Sequence, residues 1–234
     1  MNPIDCLAFA PHPDDAELFC SGLLLKLKKQ GKSTAIVDLT LGELSTNGNP
    51  ETRKSESETA SLILKTDYRE NLEIPDGNIE NTFQNRQKVI KVIRMLRPKI
   101  CLLPWREDRH PDHVQASHLL KHSVFYAGLK KIKTGQDAYR PSTVLYYILH
   151  KIIEPTFIVD ISEEFEQKIA AIKSYKSQFG NTVESNTTYI NRPEFLENIK
   201  TRCAYLGQQI NCKFGEGFIF EGKLKINNLM DFFS

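Results

Sequence analysis

The 234-residue chain lacks most of the features that assign a protein quickly. No apolar run approaches the roughly 18 residues of a membrane-spanning helix. The opening MNPIDCLAFAPHPDD has no basic stretch leading into an apolar one and a small-residue cleavage site, so the expected location is cytoplasmic. Cysteine is sparse and forms no C-x-x-C pair. The odd set Cys6, Cys20, Cys101, Cys203 and Cys212 argues for buried reduced thiols over a disulfide framework. Neither sign of charge dominates, with 31 Lys and Arg against 29 Asp and Glu, and the basic residues are scattered. The footprint of a nucleic-acid binder is therefore missing, and a small or acidic ligand fits better. Glycines are missing where phosphate chemistry needs them: no G-x-G-x-x-G follows the first apolar run, and no G-x-x-x-x-G-K-[ST] occurs anywhere. Internal repeats and low-complexity segments are absent too.

What is present alternates. Apolar runs at 6–10 (CLAFA), 34–40 (TAIVDLT), 69–74 (RENLEI), 100–104 (ICLLP) and 142–149 (STVLYYIL) are separated by helical patterns over 16–30, 51–65, 80–97 and 111–130. Gly31, the turn Pro75-Asp76-Gly77 and Pro98 punctuate them. This order predicts an α/β, Rossmann-like fold, a mostly parallel sheet with helices on both faces. A single domain over residues 1–234 is expected, since cores grow to about 250 residues before chains split. After residue 155 come TFIVDIS, a helix over 162–178, a polar loop at 180–188, a helix near 193–209 and a strand GFIFEG. They read as a C-terminal extension that packs on the sheet and shapes one side of a cleft. VLYYIL and the terminal LMDFF read as core or as interface.

Open parallel sheets collect ligands at the carboxyl ends of their strands. The unusual residues fall there: His12, Asp14 and Asp15 after the first strand, Gly42 to Arg53 after the second, Arg106 to His113 after the fourth. Pro111 suits the first position of a helix, so His110 and His113 flank a helix start. A catalytic zinc site takes three nitrogen or oxygen ligands and leaves one position open for water. His12, Asp15 and His113 are the choice for it. Asp14 then fits the general base, and His110, held in its tautomer by Asp112 and protonated, fits an oxyanion stabiliser or a proton donor to a leaving nitrogen. Such a set performs metal-assisted hydrolysis of an amide; iron(II) or cobalt would also suit its two histidines and one aspartate. A plainer reading has Asp14 or Asp15 capping the next helix and Asp112 facing a helix dipole. Two such segments, both at strand ends, argue against it.

At P-H-P-D-D-A-E (11–17) and H-P-D-H-V-Q-A-S (110–117) the chain resembles the zinc-dependent N-acetylglucosamine deacetylases of the LmbE-like or PIG-L type. The resemblance implies zinc on His12, Asp15 and His113, Asp14 as base, and His110 with Asp112 serving the transition state. GELSTNGNPETR (42–53) and WREDR (105–109) are similar to the branch that deacetylates N-acetylglucosaminyl malate in bacillithiol biosynthesis. An arginine fork is a natural partner for a dicarboxylate, which makes Arg53 and Arg109 candidates for substrate carboxylate or sugar contacts; a surface ion pair is their alternative. The resemblance also implies a homo-oligomer, a trimer or hexamer. An amino-sugar substrate is expected, with no nucleic acid and no membrane as partner. Rival readings are the same chemistry on another N-acetylglucosamine derivative or a thiol conjugate, a nucleotide-dependent oxidoreductase or binding module, and a non-catalytic metal protein.

Overall fold

The computed structural model describes residues 2–180, 186–228 and 230. Seven strands are β1 (Cys6–Ala10), β2 (Thr34–Asp38), β3 (Tyr68–Asn71), β4 (Ile100–Pro104), β5 (Thr143–Tyr147), β6 (Phe157–Asp160) and β7 (Gly215–Ile219). The helices are α1 (Asp15–Phe19), α2 (Ser21–Lys29), α3 (Pro50–Leu64), α4 (Phe83–Leu96), α5 (Pro111–Ala127), α6 (Phe165–Lys173), α7 (Lys176–Phe179) and α8 (Pro193–Gln209). The sheet order is β3-β2-β1-β4-β5-β7-β6. The first five strands are parallel, and β7 runs antiparallel to both its neighbours.

Strands buried on both faces read as continuous apolar runs rather than alternating ones. All five residues of β1 are buried. Leu7 and Phe9 join the cluster that includes Val89, Ile93 and Leu120 of α4 and α5, while Cys6, Ala8 and Ala10 join Leu24, Leu64 and Phe165 of the opposite layer. The expected three-layer α/β arrangement is what the chain forms. Tyr146 to Leu149 are core, which settles VLYYIL. Most of the polar loop (181–185) and of the terminal LMDFF lies outside the described residues.

Three departures concern the site. The helix expected over 16–30 is two, broken at Cys20 (φ −143°). The break is held from the C-terminal extension: Glu216 accepts the N–H groups of Gly22 and Leu23 at 2.8 Å each, and the Lys168 ammonium donates to the carbonyls of Glu17 and Leu18. Lys168 and Glu216 also pair at 2.8 Å, both buried. The helix expected over 162–178 likewise splits around Tyr175, whose ring turns into the interior. Finally, the extension does more than pack on the sheet: it contributes β6 and β7 to the sheet itself. The chain first builds outward from β1 to β2 and β3, then returns to place β4 on β1's other side. The loops after β1 and β4 diverge at that switch point and open a crevice.

Candidate active site

β1 runs into Pro11-His12-Pro13-Asp14, and Asp14 adopts φ 127° and ψ −25°. A positive φ is glycine's territory, and a non-glycine residue held there stores strain of order 1–3 kcal/mol. Asp14 occupies the N-cap position of α1, yet its side chain caps nothing. Its carboxylate is buried and accepts from Arg53 Nη1 at 3.2 Å. Burial, opposed by Arg53, pushes its pKa up to about 7. The Asp14 carboxyl group is therefore not a helix cap but a buried group titrating near neutrality. Asp15 begins α1. Its Oδ2 accepts the backbone N–H of His12 at 3.0 Å and lies 3.2 Å from His12 Nδ1 and 3.3 Å from His113 Nε2.

Across the crevice, Pro111 starts α5, with His110 at its N-cap. His110 Nδ1 accepts the backbone N–H of Asp112 at 3.2 Å, which leaves its proton on Nε2. Burial and the neighbouring His113 and His12 lower its pKa, which favours the neutral imidazole. Asp112 thus holds the His110 tautomer, as expected, but through its backbone N–H. The Asp112 carboxylate instead accepts from the Gly77 N–H at 2.8 Å and lies 3.3 Å from His12 Nε2.

His12, Asp15 and His113 thus converge, with one ligand atom from each within 4.8 Å of the others. Each histidine that turns one nitrogen to Asp15 rests its other nitrogen on a carboxylate. For His12 these are Asp76 (3.1 Å) and Asp112; for His113 it is Asp108 (3.0 Å). A carboxylate behind each histidine is how proteins orient metal-ligating imidazoles. Burial opposes charge on both histidines, but the carboxylates outweigh it: His12 is raised well above its ordinary value and His113 to about 9. Against its own burial, Asp15 is held well below the usual carboxylate range by His113 and His12. Two imidazoles competing for one carboxylate oxygen, with five buried or half-buried aspartates around them, is a donor set that fits a divalent cation.

Asp76, Asp108 and His150 carry no signal in the chain's periodicity. Asp76 is part of what reads as a plain turn. His150 stacks on His113, with ring centroids 5.6 Å apart and planes at 10°, and burial drops its pKa to about 4. The two arginines have different employments. Arg53 is 2% exposed, donates to Asp14 and to the Pro13 carbonyl, and lies over the Tyr175 ring at 5.5 Å, so it is neither a surface ion pair nor a free fork. Arg109 is exposed, stacks on Tyr189 at 4.0 Å and makes no ion pair among the described residues. Both line one cavity of about 410 Å³ with the metal-type cluster, with Leu44 to Asn47 of the β2–α3 loop and with Gln178 and Thr188 to Ile190 of the extension.

A family model described as GlcNAc-PI de-N-acetylase, PIG-L, matches residues 7–124. The chain belongs to the PIG-L family. Membership makes it an enzyme of the N-deacetylase class. A diacetylchitobiose deacetylase from Thermococcus kodakarensis is 29% identical over 230 residues, covering 92% of this chain and 82% of the relative. Among solved structures, a conserved protein from Thermus thermophilus, TT1542, superposes with a TM-score of 0.88 at 36% identity, over 96% of this chain and 98% of its own. The hydratase GalB from Pseudomonas putida shares the fold at 19% identity (TM-score 0.81; 97% and 99% covered). That likeness shows the fold alone, and the substrate must be argued from the site.

Proposed function

We propose that the protein is a zinc-dependent hydrolase that removes the N-acetyl group from N-acetyl-D-glucosaminyl-L-malate, releasing acetate and the free amine. The observation that carries the chemistry is the buried Asp14, titrating near 7 beside the converging His12, Asp15 and His113. Zinc, when bound, acts as a Lewis acid toward the acetyl carbonyl and acidifies a water. Asp14, held by Arg53, takes the proton of the attacking water. The His110 Nε2–H donates to the oxyanion as the carbonyl becomes tetrahedral. Neutral His110 has no proton to spare for the departing nitrogen, so Asp14 returns the one it took. The C–N bond breaks as the amine is protonated, and acetate keeps the water's oxygen.

The malate assignment rests on the sequence likeness of residues 42–53 and 105–109 and on Arg109, whose guanidinium lies at the cavity beside Tyr189 and makes no ion pair among the described residues. The same reading carries a single domain, a cytoplasmic location and a homo-oligomer of three or six copies, the last checked by sedimentation. No helix among the described residues is long and apolar enough to cross a membrane. A second substrate, a chitobiose-type N-acetylglucosamine derivative, is favoured by the relatives named as diacetylchitobiose deacetylases.

The deciding experiment measures acetate release from N-acetylglucosaminyl malate, free N-acetylglucosamine and diacetylchitobiose, by metal-stripped and zinc-restored protein. Turnover that follows zinc and ranks the malate glycoside first supports the proposal. Zinc-dependent turnover with another ranking moves the substrate. Zinc-independent turnover refutes the metal reading.

A further inference from the structure

Asp108 stands apart from the aspartates that line the cavity, because its side chain is fully buried behind His113. One oxygen, Oδ1, lies 3.0 Å from His113 Nδ1 and accepts the His110 N–H at 2.9 Å. The other, Oδ2, accepts the backbone N–H groups of His150 at 2.8 Å and Lys151 at 3.3 Å. A single carboxylate therefore ties the loop after β4 and the start of α5 to the chain leaving β5. Among the described residues, no arginine or lysine side chain hydrogen-bonds to it. Among the described residues its one side-chain partner is an imidazole that turns its other nitrogen toward Asp15.

We propose that Asp108 is a positioning residue that keeps the His113 proton on Nδ1, so that Nε2 presents its lone pair to the metal. The inference rests on the zinc reading of His12, Asp15 and His113. A carboxylate can only accept, so a histidine nitrogen resting on it must carry hydrogen. Backbone amides anchor both oxygens, which fixes the carboxylate's plane and with it the ring. Asp108→Asn tests the idea because an amide has one acceptor and one donor. With its oxygen toward His150 and Lys151, the amide opposes one backbone N–H, that of His110. With its oxygen toward His113, it opposes two, those of His150 and Lys151. The first arrangement is favoured. It aims an N–H at His113 Nδ1 and drives the ring's proton to Nε2, the nitrogen a metal needs bare.

Two measurements decide it. Zinc affinity of the Asp108→Asn protein, by competition with a chromophoric chelator, is expected to fall 10- to 100-fold with partial recovery of turnover in excess zinc. In the zinc-loaded parent, the ¹⁵N imidazole spectrum is expected to show the His113 hydrogen on Nδ1. This second result does not depend on the variant folding. An affinity for zinc in Asp108→Asn within about threefold of the parent, short of that range, overturns the inference, as does a zinc-loaded His113 with no hydrogen on Nδ1. A parent that binds no zinc overturns the metal reading and takes the inference with it.

Discussion

Arg53→Gln isolates the electrostatics of the proposed base. In the parent, the Asp14 carboxylate and Arg53 guanidinium lie 3.2 Å apart with both side chains buried. At an effective dielectric near 20 two unit charges at that separation attract by about 5 kcal/mol. The cavity opens to solvent, so taking somewhat under half of this, about 2 kcal/mol, is reasonable; it corresponds to roughly a 30-fold change in the ratio of ionised to protonated Asp14. Burial is the largest influence raising Asp14, with Asp15 and Glu17 adding to it, and Arg53 is the strongest influence pulling it back toward about 7. Without Arg53 the group ionises about 1.5 pH units later, again by the conversion of free energy to pKa. A base works only when ionised, so activity is present above its pKa and lost below it. The acid limb of the Gln variant's kcat/KM profile should lie about 1.5 pH units above the parent's, with a deficit of up to roughly 30-fold below the parent's apparent pKa that closes at higher pH. A metal at the site lowers Asp14 in both proteins alike, so the offset between the two pH–rate profiles is the quantity to read. Superimposable acid limbs, or a deficit equal at every pH, would refute the argument.

Other outcomes follow from the same geometry. Asp14→Asn should keep its zinc, by metal analysis of the purified protein, and lose about 10²- to 10⁴-fold in kcat, the usual contribution of a general base. In metal-free protein, Asp15 and Asp108 overcome burial to hold His113 at about 9 against 6.5 unfolded. That contributes about 3 kcal/mol of stability, complete below pH 6.5 and lost as pH climbs through 9, so the urea midpoint should fall across that window and a flat profile would contradict it. Lys168→Met leaves Glu216 buried without its cation and should cost about 3 kcal/mol in urea unfolding. Substrate KM should stay near the parent value; a stability loss below about 0.5 kcal/mol, the range of ordinary surface substitutions, would show that the pair does not hold the α1–α2 break.

Much of the fold was legible because strands buried on both faces leave a local trace. CLAFA and ICLLP correspond to β1 and β4 residue for residue, and Pro111 marks the start of α5. The two motifs that flank the crevice carried the metal-type cluster for the same reason: each is a short segment with its chemistry side by side. What was not legible depends on meetings between distant residues. Asp76 reaches His12 across 64 positions, and Glu216 caps α2 from 194 positions away. Neither leaves a mark on composition or period. The employment of Arg53 was hidden for a subtler reason. Its residue type signals an anion partner, but the folded chain supplies that partner itself in Asp14.

The backbone at Asp14 bears on how this protein can be changed. Folding alone would choose glycine at φ 127°, and a campaign that ranks substitutions by thermal stability alone would rank that replacement high. It would yield a hardier protein with its proposed proton acceptor deleted. If Asp14 is the proposed base, its strain is the cost of turnover, and residue 14 should be withheld from any stabilising library.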